Sequence, residues 1–167
     1  PYSGQKNMNQ DLRRFLKDNY SGNDGDLFSA FISRCLALTS ASGRCGMVTV
    51  HSHMFLGSYE NLRNNIFSSS VIETSCHLGT KTEFDVANRT DQGFVSFIIR
   101  NDSVKQRLTS AIGTWFRLIK PERTEKKKLF EQALARLQSG KTDPVVFRYI
   151  LADFAAIPGS PWVFWIT

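Results

Sequence analysis

Short strand-like segments alternate in this chain with longer segments whose apolar residues recur at helical spacing, and that alternation constrains the fold more than any other feature. Gly46 to Val50 is a nearly continuous apolar run, and Val71 to Leu78 and Phe94 to Ile99 read as two more strands, the last bounded by Gly93 and Asn101-Asp102. Continuous apolarity over so short a length suits strands buried on both faces of a parallel sheet. Before the first run, Asn9 to Tyr20 carries Leu12, Phe15 and Leu16 on one helical face. Leu27, Phe28, Phe31, Ile32, Cys35 and Leu38 then form a second stripe, with Asp24 or Asp26 placed to cap it and Ser42-Gly43 to stop it. A third helix is expected over Tyr59 to Phe67, ending in the serines 68 to 70. Helix, strand, helix, strand and strand in this order predict a three-layer α/β domain with an open, mostly parallel sheet. Such sheets bind ligands at the carboxyl ends of their strands, and no strand here runs through a Gly-rich turn into a helix.

From Ser103 the character changes. Thr114 to Ile119 reads as a strand, and Thr124 to Gln138 as a charged helix with the buried stripe Leu129, Phe130, Ala133, Leu134 and Leu137. A short helix is expected over Val145 to Leu151, then the rigid loop Ile157-Pro158-Gly159-Ser160-Pro161 and an aromatic end, Trp162 to Ile166, that must dock on something apolar. The chain thus divides into a sheet-bearing part, 1–102, and a basic helical C-terminal extension, 103–167.

Charge follows the same division. The net charge is +6, and residues 101–150 hold 11 basic against 5 acidic side chains. Clustered positive charge suits a polyanion such as double-stranded DNA, through phosphate neutralisation and counterion release. Lys126, Lys127 and Lys128 are the candidate DNA-binding residues; a solvated helix face is the plain alternative. No run of roughly 18 apolar residues is present and the start is unlike a signal peptide, so a soluble, cytoplasmic chain without membrane contact is expected. Cys35, Cys45 and Cys76 lack CxxC spacing and read as reduced core thiols. With His51, His53 and His77 they also lack the paired spacing of structural zinc, and no metal is expected.

Particular strings then carry more than periodicity. Lys6-Asn7-Met8-Asn9-Gln10, Asp26-Leu27-Phe28-Ser29-Ala30-Phe31-Ile32, Gly46-Met47-Val48-Thr49-Val50, Met54-Phe55-Leu56 with Ser58-Tyr59-Glu60-Asn61-Leu62-Arg63, His77-Leu78-Gly79 and Ile157-Pro158-Gly159-Ser160-Pro161 follow Pro1-Tyr2 in order. Together they resemble the PglX family, adenine-specific DNA methyltransferases of BREX phage-resistance systems, over nearly the whole chain. The resemblance implies a Rossmann-like methyltransferase sheet followed by DNA-recognition regions. It also implies S-adenosylmethionine as methyl donor, N6-methyladenine as product, and other BREX proteins as partners. Residues 1–102 would be the C-terminal half of the methyltransferase domain, and 103–167 a connector towards the recognition region.

The family's catalytic signature is Asn-Pro-Pro-Tyr, and Pro1 and Tyr2 look like its last two residues, which makes them the candidate catalytic positions. In that signature the asparagine carbonyl and a backbone carbonyl accept the hydrogens of the adenine amine and aim its lone pair. The aromatic ring stacks on a base flipped from the duplex. Tyr2 can stack; without the asparagine it cannot align. The family's Gly-rich donor turn would precede Pro1, so donor binding by this chain alone is expected to be absent or very weak. Where the family has a Gly-Glu-Val-Val-like stretch, this chain reads Glu83-Phe84-Asp85-Val86-Ala87-Asn88-Arg89-Thr90-Asp91-Gln92, which leaves the role of that region open. Asp85 and Asp91 read as turn residues. His51-Ser52-His53 leaves a strand at the carboxyl edge, where contact with the flipped base or its sugar and a simple loop role both fit. An exposed sheet edge is expected to promote self-association.

Overall fold

The computed structural model describes residues 3–82, 92–120 and 122–166. Helix α1 spans Gln10–Asn19, with the Asn9 side chain accepting from the Leu12 amide as its cap. Asp26 caps α2, Leu27–Leu38, by accepting from the Phe28 amide, and also receives the Ser3 amide, which ties the first described residues to the helix start. Strand β1, Arg44–Val50, leads through a short turn of helix to α3, Glu60–Ser69, and then to β2, Ser70–Gly79. Strand β3, Phe94–Asn101, is followed by α4, Lys105–Ser110, and β4, Ile112–Arg117. Helix α5, Arg123–Gln138, β5, Val146–Ile150, and α6, Leu151–Ala155, complete the order.

The five strands form one sheet in the order β1-β3-β2-β4-β5. Strand β3 is antiparallel to both β1 and β2, β2 is parallel to β4, and β4 is antiparallel to β5. The expectation of a mostly parallel sheet is therefore corrected: only the β2–β4 pairing is parallel. Strands β1, β2 and β4 do share one direction, with α3 and α4 crossing between them, but β3 inserts between β1 and β2. Its apolar run resembles a parallel strand's because Val95, Phe97 and Ile99 turn to the core and Ile98 occupies the other face, where it is partly exposed; such a run looks the same whatever the strand's direction.

Two further expectations change. A helix is expected over Val145 to Leu151, whereas Val146–Ile150 is a strand that continues directly into α6. Valine, phenylalanine, tyrosine and isoleucine suit a pleated surface, and Phe147 and Tyr149 turn to the core while Ile150 is exposed. Strand β1 is not buried on both faces. It ends the sheet among the described residues, and Val48 and Ile98 on neighbouring strands are 36% and 42% exposed.

The main core lies on one face of the sheet. Phe97, Ile99 and Trp115 from the strands meet Phe28 and Ile32 of α2, Leu62 and Ile66 of α3, and Phe154 of α6. Trp162 and Phe164 of the aromatic end complete this core. On the other face α5 lays Ala133, Leu129 and Phe130 over Cys76, Phe116 and Leu118. Residues 103–167 thus supply two strands and part of the central core, beyond a helical extension. No described helix is long and apolar enough to cross a membrane.

Candidate functional site at the carboxyl edge of the sheet

Because β1, β2 and β4 run the same way, their carboxyl ends share one edge. That edge bears a row of polar and aromatic side chains. His77, near the end of β2, lies in register with Val95 of β3 and Arg117 of β4, so all three project on one side. His51 follows β1 directly, and its amide donates to Gly93 O at 2.8 Å. The two imidazoles meet there, with Nδ1 of His51 2.7 Å from Nε2 of His77. Gly93 makes the approach possible: a Cβ on it would lie 2.2 Å from the His51 ring.

His77 is buried, and loss of hydration pushes its pKa down to about 3; His51, Arg117, Lys126 and His53 lower it further. Burial also lowers His51. Near neutral pH both rings are neutral, so a single N–H bridges them. Whichever tautomer holds, Nδ1 of His77 is buried without a partner among the described residues.

The row continues on both sides. The His51 ring meets Phe55 edge-on with centroids 5.1 Å apart, and the Trp165 ring lies 5.3 Å from His77. Arg117 sets its guanidinium carbon 5.1 Å from the centre of the Trp165 ring, a cation–π contact. Its Nε is buried and unpartnered among the described residues.

The C-terminal segment holds this arrangement in place. The Trp162 amide donates to Met54 O at 2.7 Å. Buried Arg63 donates to the carbonyls of Gly159, His53 and Leu56 at 2.6–2.9 Å, clamping the final loop against the turn after β1. Ser160 donates to Asn64 Oδ1 at 2.8 Å. Gly159 and Ser160 both take left-handed backbone conformations, with φ of 77° and 48°, which turns the chain so that Trp162 enters the core.

His53 serves a different purpose from its neighbour. It is fully buried among the rings of Phe28, Phe97 and Trp162, its Nδ1–H donates to Val50 O at 2.9 Å, and burial pushes its pKa down to about 4. It is a core residue, while His51 belongs to the edge.

The lysine triplet does not act as one surface. The Lys126 ammonium turns inward and donates to Leu78 O at 2.7 Å and Leu118 O at 2.6 Å, beside the ends of β2 and β4. Lys126 as a DNA-contacting residue is corrected on this ground, since a buried ammonium bonded to two carbonyls cannot meet a phosphate. Lys127 and Lys128, about 100° further round the helix each, are exposed, and Lys127 lies 3.9 Å from Glu131.

Pro1, Tyr2, Asp85 and Asp91 lie outside the described residues. Of the three free cysteines, Cys76 is buried, with its thiol pKa pushed up to about 12 by loss of hydration, while Cys35 and Cys45 are half-buried. The described histidines and cysteines do not gather with acidic residues into a group of three potential metal ligands. Arg117 and Trp165 carry no site expectation from the sequence, and His77 enters only in the His77-Leu78-Gly79 string and among the histidines weighed for a metal. A lone histidine in an apolar strand and an arginine at a strand end were the available signals, and only the register joins them.

The sequence of the Eco57I restriction-modification methylases matches residues 1–84. The chain belongs to that family. It is also similar to two curated proteins over its whole length. The adenine-specific methyltransferase PglX of Lacticaseibacillus casei (strain Zhang) is 32% identical over 165 residues, which are 99% of this chain and 13% of that protein. The adenine-specific methyltransferase BrxX of Escherichia coli O9:H4 (strain HS) is 30% identical over 167 residues, 100% of this chain and 13% of that protein. The chain thus spans about an eighth of the length of these relatives.

Solved structures share the fold. The type ISP restriction-modification enzyme LlaBIII bound to DNA superposes with a TM-score of 0.64 at 12% identity, over 98% of this chain and 12% of that one. A modification subunit of a putative type I restriction enzyme from Vibrio vulnificus YJ016 gives 0.60 at 13% identity, over 83% of this chain and 31% of that one. A mixed α/β fold with a five-stranded open sheet is thus shared with restriction-modification proteins.

Proposed function

We propose that this chain forms the later part of the catalytic domain of an S-adenosylmethionine-dependent DNA adenine-N6 methyltransferase of a BREX phage-defence system. The observation that carries the reading is the similarity to adenine-specific methyltransferases along the entire chain, beginning at Pro1-Tyr2. The mixed sheet is then the second half of a Rossmann-like methyltransferase sheet. Residues 1–102 bring it to β3, and 103–167 extend it through β4 and β5 towards a DNA-recognition region.

Pro1 and Tyr2 are the end of an Asn-Pro-Pro-Tyr signature on this reading, and Tyr2 stacks on the extruded adenine. The donor supplies the methyl group, but the described residues do not fit its pocket: no described strand runs through a glycine-rich turn into a helix N-terminus. That part of the site belongs to sequence preceding Pro1. What this chain contributes is the carboxyl edge, an exposed basic pair in Lys127 and Lys128 for phosphate contact, and the apolar sheet surface around Val48 and Ile98. Strands and helices of the same longer protein cover that surface; in isolation it promotes self-association.

Calorimetric titration of S-adenosylmethionine tests the division of labour. A protein of the relatives' length is expected to bind the donor with micromolar affinity, and the 167-residue chain not at all. Micromolar binding by the chain alone would show that the donor pocket is built within it and refute the division.

A further inference from the structure

The carboxyl edge holds an arginine unlike the others that the structure pairs. At the opposite edge of the sheet every arginine of the cluster has a carboxylate. Arg44 and Arg100 bond to Glu73 at 2.6 and 2.9 Å, Arg100 also reaches Asp102, and Arg107 lies 3.0 Å from Asp102. That network completes itself. Arg117 has no hydrogen bond or ion pair to any described side chain, although it is partly buried and one of its donors is withdrawn from water. Among the described residues, the charged and titratable groups acting on the neighbouring His77 are His51, Arg117, Lys126 and His53, none of them a carboxylate. A guanidinium held on an indole face and short of acceptors among the described residues is preorganised for an anion.

The neighbours supply the second half of a nucleotide's requirements. Phe55, His51, His77, Trp165 and Arg117 follow one another in ring-to-ring contact across the edge. Phe55 is 36% exposed, and His51 and Trp165 are partly exposed. A neutral aromatic row beside a fixed cation is the combination that binds an unstacked base together with its phosphate. The buried, unpartnered Nδ1 of His77 in the same row adds a polar group that no described residue satisfies.

We propose that Arg117 on Trp165, continued by the His77–His51–Phe55 row, is a nucleotide-contact site of the DNA substrate, with a phosphate on Arg117 and an adjoining unstacked base on the aromatic row. The site rests on the reading of the chain as part of a DNA methyltransferase and adds positioning residues to it at the carboxyl edge of the sheet. The clamp from Arg63 to Gly159 gives the loop before Trp162 a role here: it fixes the segment that brings Trp165 under Arg117.

The test uses the full-length protein with S-adenosylmethionine and duplex DNA, comparing Arg117→Gln, Trp165→Leu and Trp165→Phe. Arg117→Gln is expected to weaken DNA binding about tenfold and to lower the salt dependence by about one phosphate contact. Trp165→Leu is expected to weaken binding about tenfold with the salt dependence unchanged, and Trp165→Phe to bind like the parent. Donor affinity should stay at the parent value in all three, while Trp165→Leu, which truncates a ring packed against the core, should lower the thermal midpoint by a few degrees without unfolding the protein. Should Arg117→Gln unfold, Arg117→Lys reads the same contact, retaining the salt dependence but losing affinity. Parent-like DNA affinity in Arg117→Gln and Trp165→Leu, in a protein that still methylates DNA, overturns the site. Loss of donor affinity in place of DNA affinity overturns it too, by assigning the row to the donor. A parent protein that neither binds nor methylates DNA fails the broader reading first, and the site falls with it.

Discussion

Lys126 offers a test of the division between structural and surface charge on α5. Replacing it by methionine keeps most of the stem that packs under the helix but removes the ammonium from Leu78 O and Leu118 O. Each hydrogen bond from a charged group contributes about 1.5–3 kcal/mol, and the two carbonyls lose their donor together. A destabilisation of about 3–5 kcal/mol is expected, which for a domain of this size lowers the thermal midpoint by about 10 °C. Lys127→Ala and Lys128→Ala, at exposed positions, are expected to change stability by no more than about 0.5 kcal/mol. Thermal unfolding followed by tryptophan fluorescence and far-ultraviolet circular dichroism separates the cases. Lys126→Met melting with the parent while Lys127→Ala melts early would refute the assignment of the buried ammonium.

The same physics gives further expectations. Lys127→Ala combined with Lys128→Ala should weaken DNA binding by the full-length protein equally on all sequences and reduce its salt dependence; unchanged binding would leave these lysines as a solvated face. Arg63→Met should cost about 3–5 kcal/mol, because the carbonyls of His53, Leu56 and Gly159 lose their donor at once, and hydrogen exchange should reveal a loosened 157–161 loop. Exchange rates matching the parent's would show that other contacts hold the loop. For pH, His53 is held neutral down to about 4, whereas an unfolded imidazole takes up a proton near 6.5. The unfolded state therefore binds more protons between those values, so this contribution is complete above about pH 6.5 and is lost as pH falls towards 4. At about 1.4 kcal/mol per pH unit, His53 alone accounts for about 3 kcal/mol. Urea unfolding free energies that stay flat from pH 7 to 5 would contradict its burial as a neutral ring.

The legible part of the fold was local. The cap at Asp26, the helix α2 with Phe28 and Ile32 turned inward, and the charged helix ending at Ser139-Gly140 all lie where side-chain periodicity and capping chemistry act within a few residues, although Phe31 and Leu38 of the expected α2 stripe are exposed. Strand direction was not legible. Val95, Phe97 and Ile99 are apolar because they face the core, and that burial carries no information about whether a neighbour runs parallel or antiparallel. Val146–Ile150 fits a helical and an alternating pattern equally over so short a length; its β-branched and aromatic content was the better guide. Lys126 reads like its two neighbours in a charged run, and only the rotation of α5 against the ends of β2 and β4 turns it inward. His51 was suspected at its strand end, but its partner His77 comes from a strand 26 residues away, and their meeting depends on β3 inserting between β1 and β2.

The central claim is adenine-N6 methylation of DNA by the protein that carries this chain. Nucleoside mass spectrometry of DNA from a methylation-free host measures it directly, with the full-length coding sequence expressed in parallel with a Tyr2→Ala variant. The account requires N6-methyladenine with the parent sequence and its loss with the variant. N4-methylcytosine in its place, or N6-methyladenine undiminished by Tyr2→Ala, would contradict it.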